Sequence, residues 1–192
     1  MSSKNKAASK RSFLKSMGYS GIAALLSATI PARVSWAKNY LTIDQAQAIL
    51  FANIELLPSP IELTREQAKS IKKASKVRVR SKSIQAWRSP DNDWFIVDQI
   101  IGKHENIDMA FAINRNGEMV GLEVLSYRES YGHEIRHPKW RAQFHGKKPG
   151  EHLKLDHQIK NISGATLSCR HVTDGVNRLL ETWQQVLQNH SV

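Results

Sequence analysis

Asn161–Val186 reads NISGATLSCRHVTDGVNRLLETWQQV and falls into two parts. The first, Ser163-Gly164-Ala165-Thr166-Leu167-Ser168, is small and polar. The second is amphipathic. Val172, Val176, Leu179, Trp183 and Val186 recur at steps of four and three, with Leu180 and Leu187 widening the stripe. That spacing predicts a long helix laid on a core. A small-residue loop opening into a helix has two uses. The first-turn N–H groups have no partner inside the helix and the dipole adds partial positive charge, so the loop can cradle a phosphate. The hydroxyls of Ser163, Thr166 and Ser168 would help, and Gly164 lets the backbone come close or take positive φ. Alternatively, the same hydroxyls simply cap the helix. The pattern by itself leaves both open.

Working back from the helix, Met119–Tyr127 and Ile107–Ile113 read as strands joined by Asn114-Arg115-Asn116-Gly117, a hairpin turn with Asn-Gly at its tip. Asp93–Gly102 contains Trp94-Phe95-Ile96-Val97, a buried strand, and Ser89-Pro90-Asp91-Asn92 before it is a turn. Lys76–Trp87 alternates, Val77 and Val79 against Arg78 and Arg80, which predicts a half-exposed strand. Two capping boxes, Thr42-Ile43-Asp44-Gln45 and Thr64-Arg65-Glu66-Gln67, open helices that run to around Asn53 and Ser75. Leu57-Pro58-Ser59-Pro60 between them reads as a stiff linker. In the second helix Ala68, Ile71 and Ala74 face inward, and Lys69, Lys72, Lys73 and Lys76 form a solvated face. Four consecutive strands, a polar loop region and a long terminal helix predict an α+β domain with a mainly antiparallel sheet and flanking helices.

Between the last strand and the helix lie Tyr127-Arg128-Glu129-Ser130-Tyr131-Gly132-His133-Glu134-Ile135, then Trp140, Gln143, Phe144 and Gly146. This loop and the downstream SGATLS together resemble two landmarks of the FMN-binding domain family. That family includes the G subunit of the Rnf complex and the C subunit of the sodium-translocating NADH:quinone reductase. The resemblance covers most of residues 90–190. It implies FMN as cofactor, joined through its phosphate to Thr166 by a separate flavin transferase. It implies that Ser163, Gly164, Ala165, Leu167 and Ser168 wrap the phosphate, while Glu129, Tyr131 and Gly132 border the flavin. The implied role is electron transfer with a redox partner in or at a membrane, as a carrier or redox subunit rather than a stand-alone enzyme. One position departs from the family pattern. Six residues before the threonine, where the motif carries Asp, this chain has Lys160, and the nearest acid is Asp156. Either Asp156 serves from a shifted place, or the module holds FMN without a covalent bond, as a sensor or docking domain.

A rival string occupies the same loop: His133-Glu134-Ile135-Arg136-His137 matches the H-E-x-x-H of zinc hydrolases. That chemistry needs both histidines on one face of a continuous helix, and Pro138 pushes His137 away from helical geometry. Seven of the eight histidines lie between His104 and His171. His133 and His171 are the two expected near the flavin, where they would tune its potential. The single Cys169 excludes an internal disulfide and reads as a small buried residue behind the loop.

The formal charge of the 192-residue chain is +11. Residues 1–37 hold six of the cations and no acid, which leaves +5 for residues 38–192. That is an ordinary surface, and no nucleic-acid-binding motif accompanies it, so no nucleic-acid partner is expected. Residues 1–37 read as an export signal: a basic start, an apolar Met17–Ile30 run and the small-residue site Ser35-Trp36-Ala37. Lys10-Arg11-Ser12-Phe13-Leu14-Lys15 resembles the twin-arginine motif with Lys in place of the first Arg. The expected organisation is signal 1–37, helical segment 38–75 and FMN-binding domain 76–192. The expected location is the periplasm or the outer face of a bacterial inner membrane.

Overall fold

The computed structural model describes residues 38–52 and 54–190. The export-signal reading of residues 1–37 lies outside them. Four strands form an antiparallel meander: β4 (Ser83–Arg88), β5 (Trp94–Ile101), β6 (Asn106–Ile113) and β7 (Met119–Tyr127). Three two-residue strands from the first half of the domain extend it. β1 (Lys38–Asn39) pairs with β7, while β2 (Leu57–Pro58) and β3 (Ile61–Glu62) both pair with β4. The sheet order is β1-β7-β6-β5-β4-β2.

Helices cover both faces, and a single-turn helix α3 (Pro138–Arg141) lies in the loop after β7. On one side α1 (Ile43–Phe51) packs Ala46 and Phe51 onto Phe95, Ala110, Ala112 and Leu125. On the other, α2 (Arg65–Ser75) and α4 (Thr166–Gln185) lay Ile71, Val172, Val176 and Leu179 over Ile96, Met109, Phe111 and Leu122. Burial from both sides is why Trp94-Phe95-Ile96-Val97 is continuously apolar rather than alternating. Both capping boxes form, with Thr42 accepting from Gln45 N–H at 3.2 Å and Thr64 from Gln67 N–H at 3.1 Å.

Two readings of the sequence are corrected. The Leu57-Pro58-Ser59-Pro60 linker contributes a short edge strand, Leu57 and Pro58 lying opposite Arg88 and Trp87. An edge tolerates proline because one side of the strand donates to nothing. Conversely, residues 76–82 do not form a strand. Lys76 takes a left-handed φ of 61° as the C-cap of α2, and β4 begins only at Ser83, where β3 already occupies its edge. The alternation of Val77 and Val79 with Arg78 and Arg80 is still an alternation of burial. Val79 packs against the core shared with α4, without sheet hydrogen bonds. Helix packing can impose a period of two on an extended chain, and the pattern alone does not tell the two apart.

The β6–β7 turn fastens the far end of α4. Gly117 N–H bonds Asn114 O at 2.9 Å, and of the four turn residues Gly117 alone takes positive φ, at 79°. The tip is thus a type I turn closed by a left-handed glycine, the three-residue hairpin form. A Cβ on Gly117 would lie 2.5 Å from the Trp183 ring. Gly117→Ala combines backbone strain with overpacking against α4 and is expected to cost about 2–4 kcal/mol, read as a drop in the urea midpoint.

Candidate functional site

Helix α4 begins without a side-chain cap. Its N-cap residue is Ala165, and its first main-chain bond runs from Cys169 N–H to Ala165 O at 2.9 Å. The hydroxyls that could have capped it are otherwise placed. Ser163 lies exposed in the preceding turn. Ser168 is buried, its Oγ 2.9 Å from the Tyr127 hydroxyl. Thr166 Oγ1 accepts from Asn161 Nδ2 at 3.0 Å, which fixes the side chain and leaves its hydroxyl proton uncommitted. The capping alternative is therefore not the one realised. The N–H groups of the first turn face outward with no side-chain acceptor, the arrangement that favours an anion.

Around this helix start the fold assembles a cleft of about 450 Å³, in the size range of roughly 300–1,000 Å³ typical of small-molecule sites. Gly164, Ala165, Thr166, Leu167 and Ser168 line one side and Glu129, Ser130 and Tyr131 the other, so two sequence-separated motifs meet. Tyr131 is 83% exposed and Leu167 41%, which leaves a large ring and an apolar branch open at the lips. Gly164 has φ +85° and nothing within 4 Å of where a Cβ would stand. Ser163 and Gly132 flank the cleft without lining it. Gly132 has a different duty: a Cβ there would meet both Ser168 Oγ and the Tyr127 hydroxyl at 2.6 Å.

Tyr127, the last residue of β7, ties these pieces together. Its hydroxyl donates to Tyr131 O, so Ser168 Oγ is left as the donor to Tyr127. Burial pushes the phenol's pKa up, which keeps it a neutral donor. Glu129 does similar work on the opposite lip. Its Oε1 accepts from the backbone N–H of His104 and of Glu105, the latter at 3.0 Å. Burial works to raise this carboxyl's pKa, but the backbone N–H groups of Glu105 and His104 outweigh it and hold it below the usual Glu range. The residue read as a flavin border is therefore first the anchor of the β5–β6 turn. That turn carries Lys103 and His104 into the cleft lining.

Sequence reasoning missed Lys103, His104, Tyr127 and Asn161. Asn161 stands five residues before Thr166, and that local polar spacing is the signal that points to it. The other three depend on strand pairing that brings distant turns side by side. The histidine expectation is corrected: His104 lines the cleft, whereas His171 lines a separate hollow with Arg78, Arg80, Asp174 and Arg178, and His133 lies outside the lining. His133–Arg136 is a four-residue 3-10 turn and His137 is extended at ψ 122°, so the two histidines share no helix face. Among the described residues no group of three His, Cys, Asp or Glu side chains could hold a metal ion. Cys169 is fully buried and its thiol pKa is pushed up by that burial, as expected for a packing residue.

The second landmark supports the first directly. Trp140 Nε1 donates to Lys160 O at 2.7 Å, and Lys160 N–H donates to Gln143 Oε1 at 2.7 Å. The stretch of chain leading into SGATLS is thereby clamped, while Lys160 borders a neighbouring hollow with Glu134, His137 and Trp140. A wider groove of about 940 Å³ lies between α1 and β4–β5. Key polar groups along it are already matched: Asp108 with Ser126, Gln99 and Arg128, and Asp98 with Arg178.

Residues 102–181 match the family model described as FMN-binding domain. That match supports FMN as the cofactor of this region. Among solved structures the chain is similar to the C subunit of the Na(+)-translocating NADH-quinone reductase from Parabacteroides distasonis. The match has a TM-score of 0.51 at 15% identity and covers 79% of this chain and 87% of that one. Comparison with curated proteins found no match. No helix among the described residues is long and apolar enough to cross a membrane.

The cleft offers an uncapped helix start of the kind that suits an anion, a positioned hydroxyl beside it and an open aromatic lip, features that FMN would use. Two substitutions test how it is built. Tyr127→Phe leaves the buried Ser168 hydroxyl without its partner and is expected to cost about 1–3 kcal/mol in denaturant melts. Glu129→Gln should lower stability by about 1 kcal/mol at neutral pH. Because the folded pKa of Glu129 is depressed, its contribution is complete above the ordinary Glu value and fades as pH falls through the folded one. The melting curves of wild type and the Glu129→Gln variant should therefore converge in acid, which a pH series of thermal melts reads directly.

Proposed function

We propose that this chain is an exported electron-transfer flavoprotein whose FMN is tethered through its phosphate to Thr166. The observation that carries the reading is the Thr166 hydroxyl, held by Asn161 at the mouth of an uncapped helix and inside the cleft. The link would be an Oγ1–phosphorus bond, formed by a flavin transferase from an activated flavin nucleotide. The donor's leaving group departs with the electron pair, and the hydroxyl proton goes to base. FMN supplies one- and two-electron redox chemistry of its own. The protein's part is to hold the phosphate on the N–H groups of Leu167 and Ser168, rest the ring system near Tyr131, and leave one edge open to a partner.

A tether suits a protein working outside the cytoplasm. Free FMN is scarce there, and a dissociable cofactor would be lost by mass action. The likeness to the C subunit of a sodium-translocating NADH-quinone reductase supports placement in a membrane-associated redox chain, and the signal-like residues 1–37 support the periplasm or the outer face of the inner membrane. A second reading, FMN held without a covalent bond as a sensor or docking module, is favoured by Lys160 at the position where the family motif carries Asp.

Mass spectrometry of the Thr166 peptide, from protein coexpressed with a flavin transferase, separates the two. An added FMN phosphoryl mass is expected on wild type and none on Thr166→Val, which should melt within about 0.5 kcal/mol of wild type because the site is partly exposed. Yellow protein whose flavin is released entirely by acid precipitation supports the second reading; colourless protein overturns both.

A further inference from the structure

Residues 65–82 carry eight lysines and arginines and a single acid, Glu66, for a formal charge of +7. Residues 38–192 as a whole carry +5, so everything outside this segment is net negative by two. All eight cations are exposed. Among the described residues none of the eight joins an ion pair, although Arg115, Arg128, Arg141, Lys147, Lys148 and Arg178 all do.

The fold aligns these charges. Lys69, Lys72 and Lys73 are spaced i, i+3, i+4 and share the face of α2 opposite the buried Ile71 and Ser75, and the exposed Lys76 follows as its C-cap. Beyond the helix Val77 and Val79 turn inward, which turns Arg78 and Arg80 outward and prolongs the strip. Like charges at these spacings cost a helix stability, and among the described residues no ion pair offsets that cost. At its C-terminal end the strip reaches α4, the helix whose start lines the cleft. Arg78 and Arg80 line a hollow with His171 and Ile101. His171 stands about 7.5 Å beyond Thr166 along α4, by the rise of five residues, and about 140° further round the helix. Ile101 is two residues from Lys103, which carries positive charge onto the cleft's own lip.

We propose that this strip docks an acidic electron-transfer protein and brings its redox centre to the open lips of the flavin cleft. The inference rests on the electron-carrier reading above and names the partner's chemistry. None of the exposed large apolar side chains falls within residues 65–82. A strip of charge without an apolar anchor fits a fast, weak, electrostatically steered encounter of the kind redox partners make. It lacks the apolar residues that seat a helix in a bilayer surface and the aromatic rings that stack on bases.

The test mixes reduced, flavin-loaded, full-length protein by stopped flow with cytochrome b5, an acidic haem protein, and with cytochrome c, a basic one. The rate with the acidic protein should fall at least roughly tenfold as salt rises from about 20 to about 300 mM, because the Debye length shrinks below the span of the strip. The Lys72→Gln/Lys73→Gln/Arg78→Gln/Arg80→Gln variant should lose most of that low-salt rate and keep its rate with cytochrome c, at an unchanged flavin potential. An Arg115→Gln/Lys139→Gln control, outside the strip, should behave as wild type. A parallel titration of flavin-free protein against cytochrome b5 should show weaker binding for the quadruple variant only. That arm is readable even from colourless protein, so failure of the flavin reading and failure of docking remain distinct. Equal rates and affinities for wild type and quadruple variant overturn the proposal. So does strip-dependent binding to phosphatidylglycerol vesicles or duplex DNA with none to cytochrome b5, which would assign the surface to lipid or nucleic acid.

Discussion

Helix α4 has to be held at both ends for the rest of this domain to have a site. At its start, the Tyr127 hydroxyl joins the end of β7, the Tyr131 carbonyl and Ser168 in one bonded cluster, with Gly132 leaving room for the close approach. At its far end, the β6–β7 turn lies against Trp183 with only a glycine's clearance. In between, Asn177 bonds both the N–H and the carbonyl of Leu153 at 2.9 Å, and Glu181 accepts from Gly150 N–H at 2.9 Å, so the long loop before SGATLS is also fastened to this helix. A shift of α4 along its axis would break these contacts together. The positions of Thr166 and of the cleft's opposite wall are therefore set by one sheet, through one helix.

Much of this was legible in the chain because it is written in local periodicity and local chemistry. The stripe from Val172 to Trp183 is the buried face of α4, and the buried Val186 and Leu187 continue it into the turn beyond. Thr42 and Thr64 start their helices by accepting from the backbone N–H three residues on. What was not legible depends on partners. Val77 and Val79 alternate with Arg78 and Arg80 for the reason a strand's residues do, burial on one side. Whether an extended chain meets a sheet edge or a helix face is settled by elements elsewhere. Leu57-Pro58 reads as a linker because an edge strand two residues long has no pattern to show.

The site divides along the same line. SGATLS and the Glu129–Gly132 loop were found as strings, and the structure brings them to one cleft. The wall that escaped notice, Lys103 and His104, sits in a turn of no particular composition, and its place is fixed by the carboxylate of Glu129 twenty-five residues away. A border residue inferred from resemblance proved to be the hinge-pin for residues that no string could reveal. Polar residues near a cofactor motif are often supports for its neighbours rather than contacts in their own right.

The unfinished start of α4 carries a consequence for the life of the protein before it is loaded. A helix whose first N–H groups lack any side-chain acceptor frays there more easily than one that is capped. A bound phosphate would close that gap and stiffen the first turn. Loaded and empty copies would then differ in hydrogen exchange and in protease sensitivity at residues 163–168, even with identical packing elsewhere. Proteases could tell them apart by that turn alone, so that the cofactor certifies the protein that carries it.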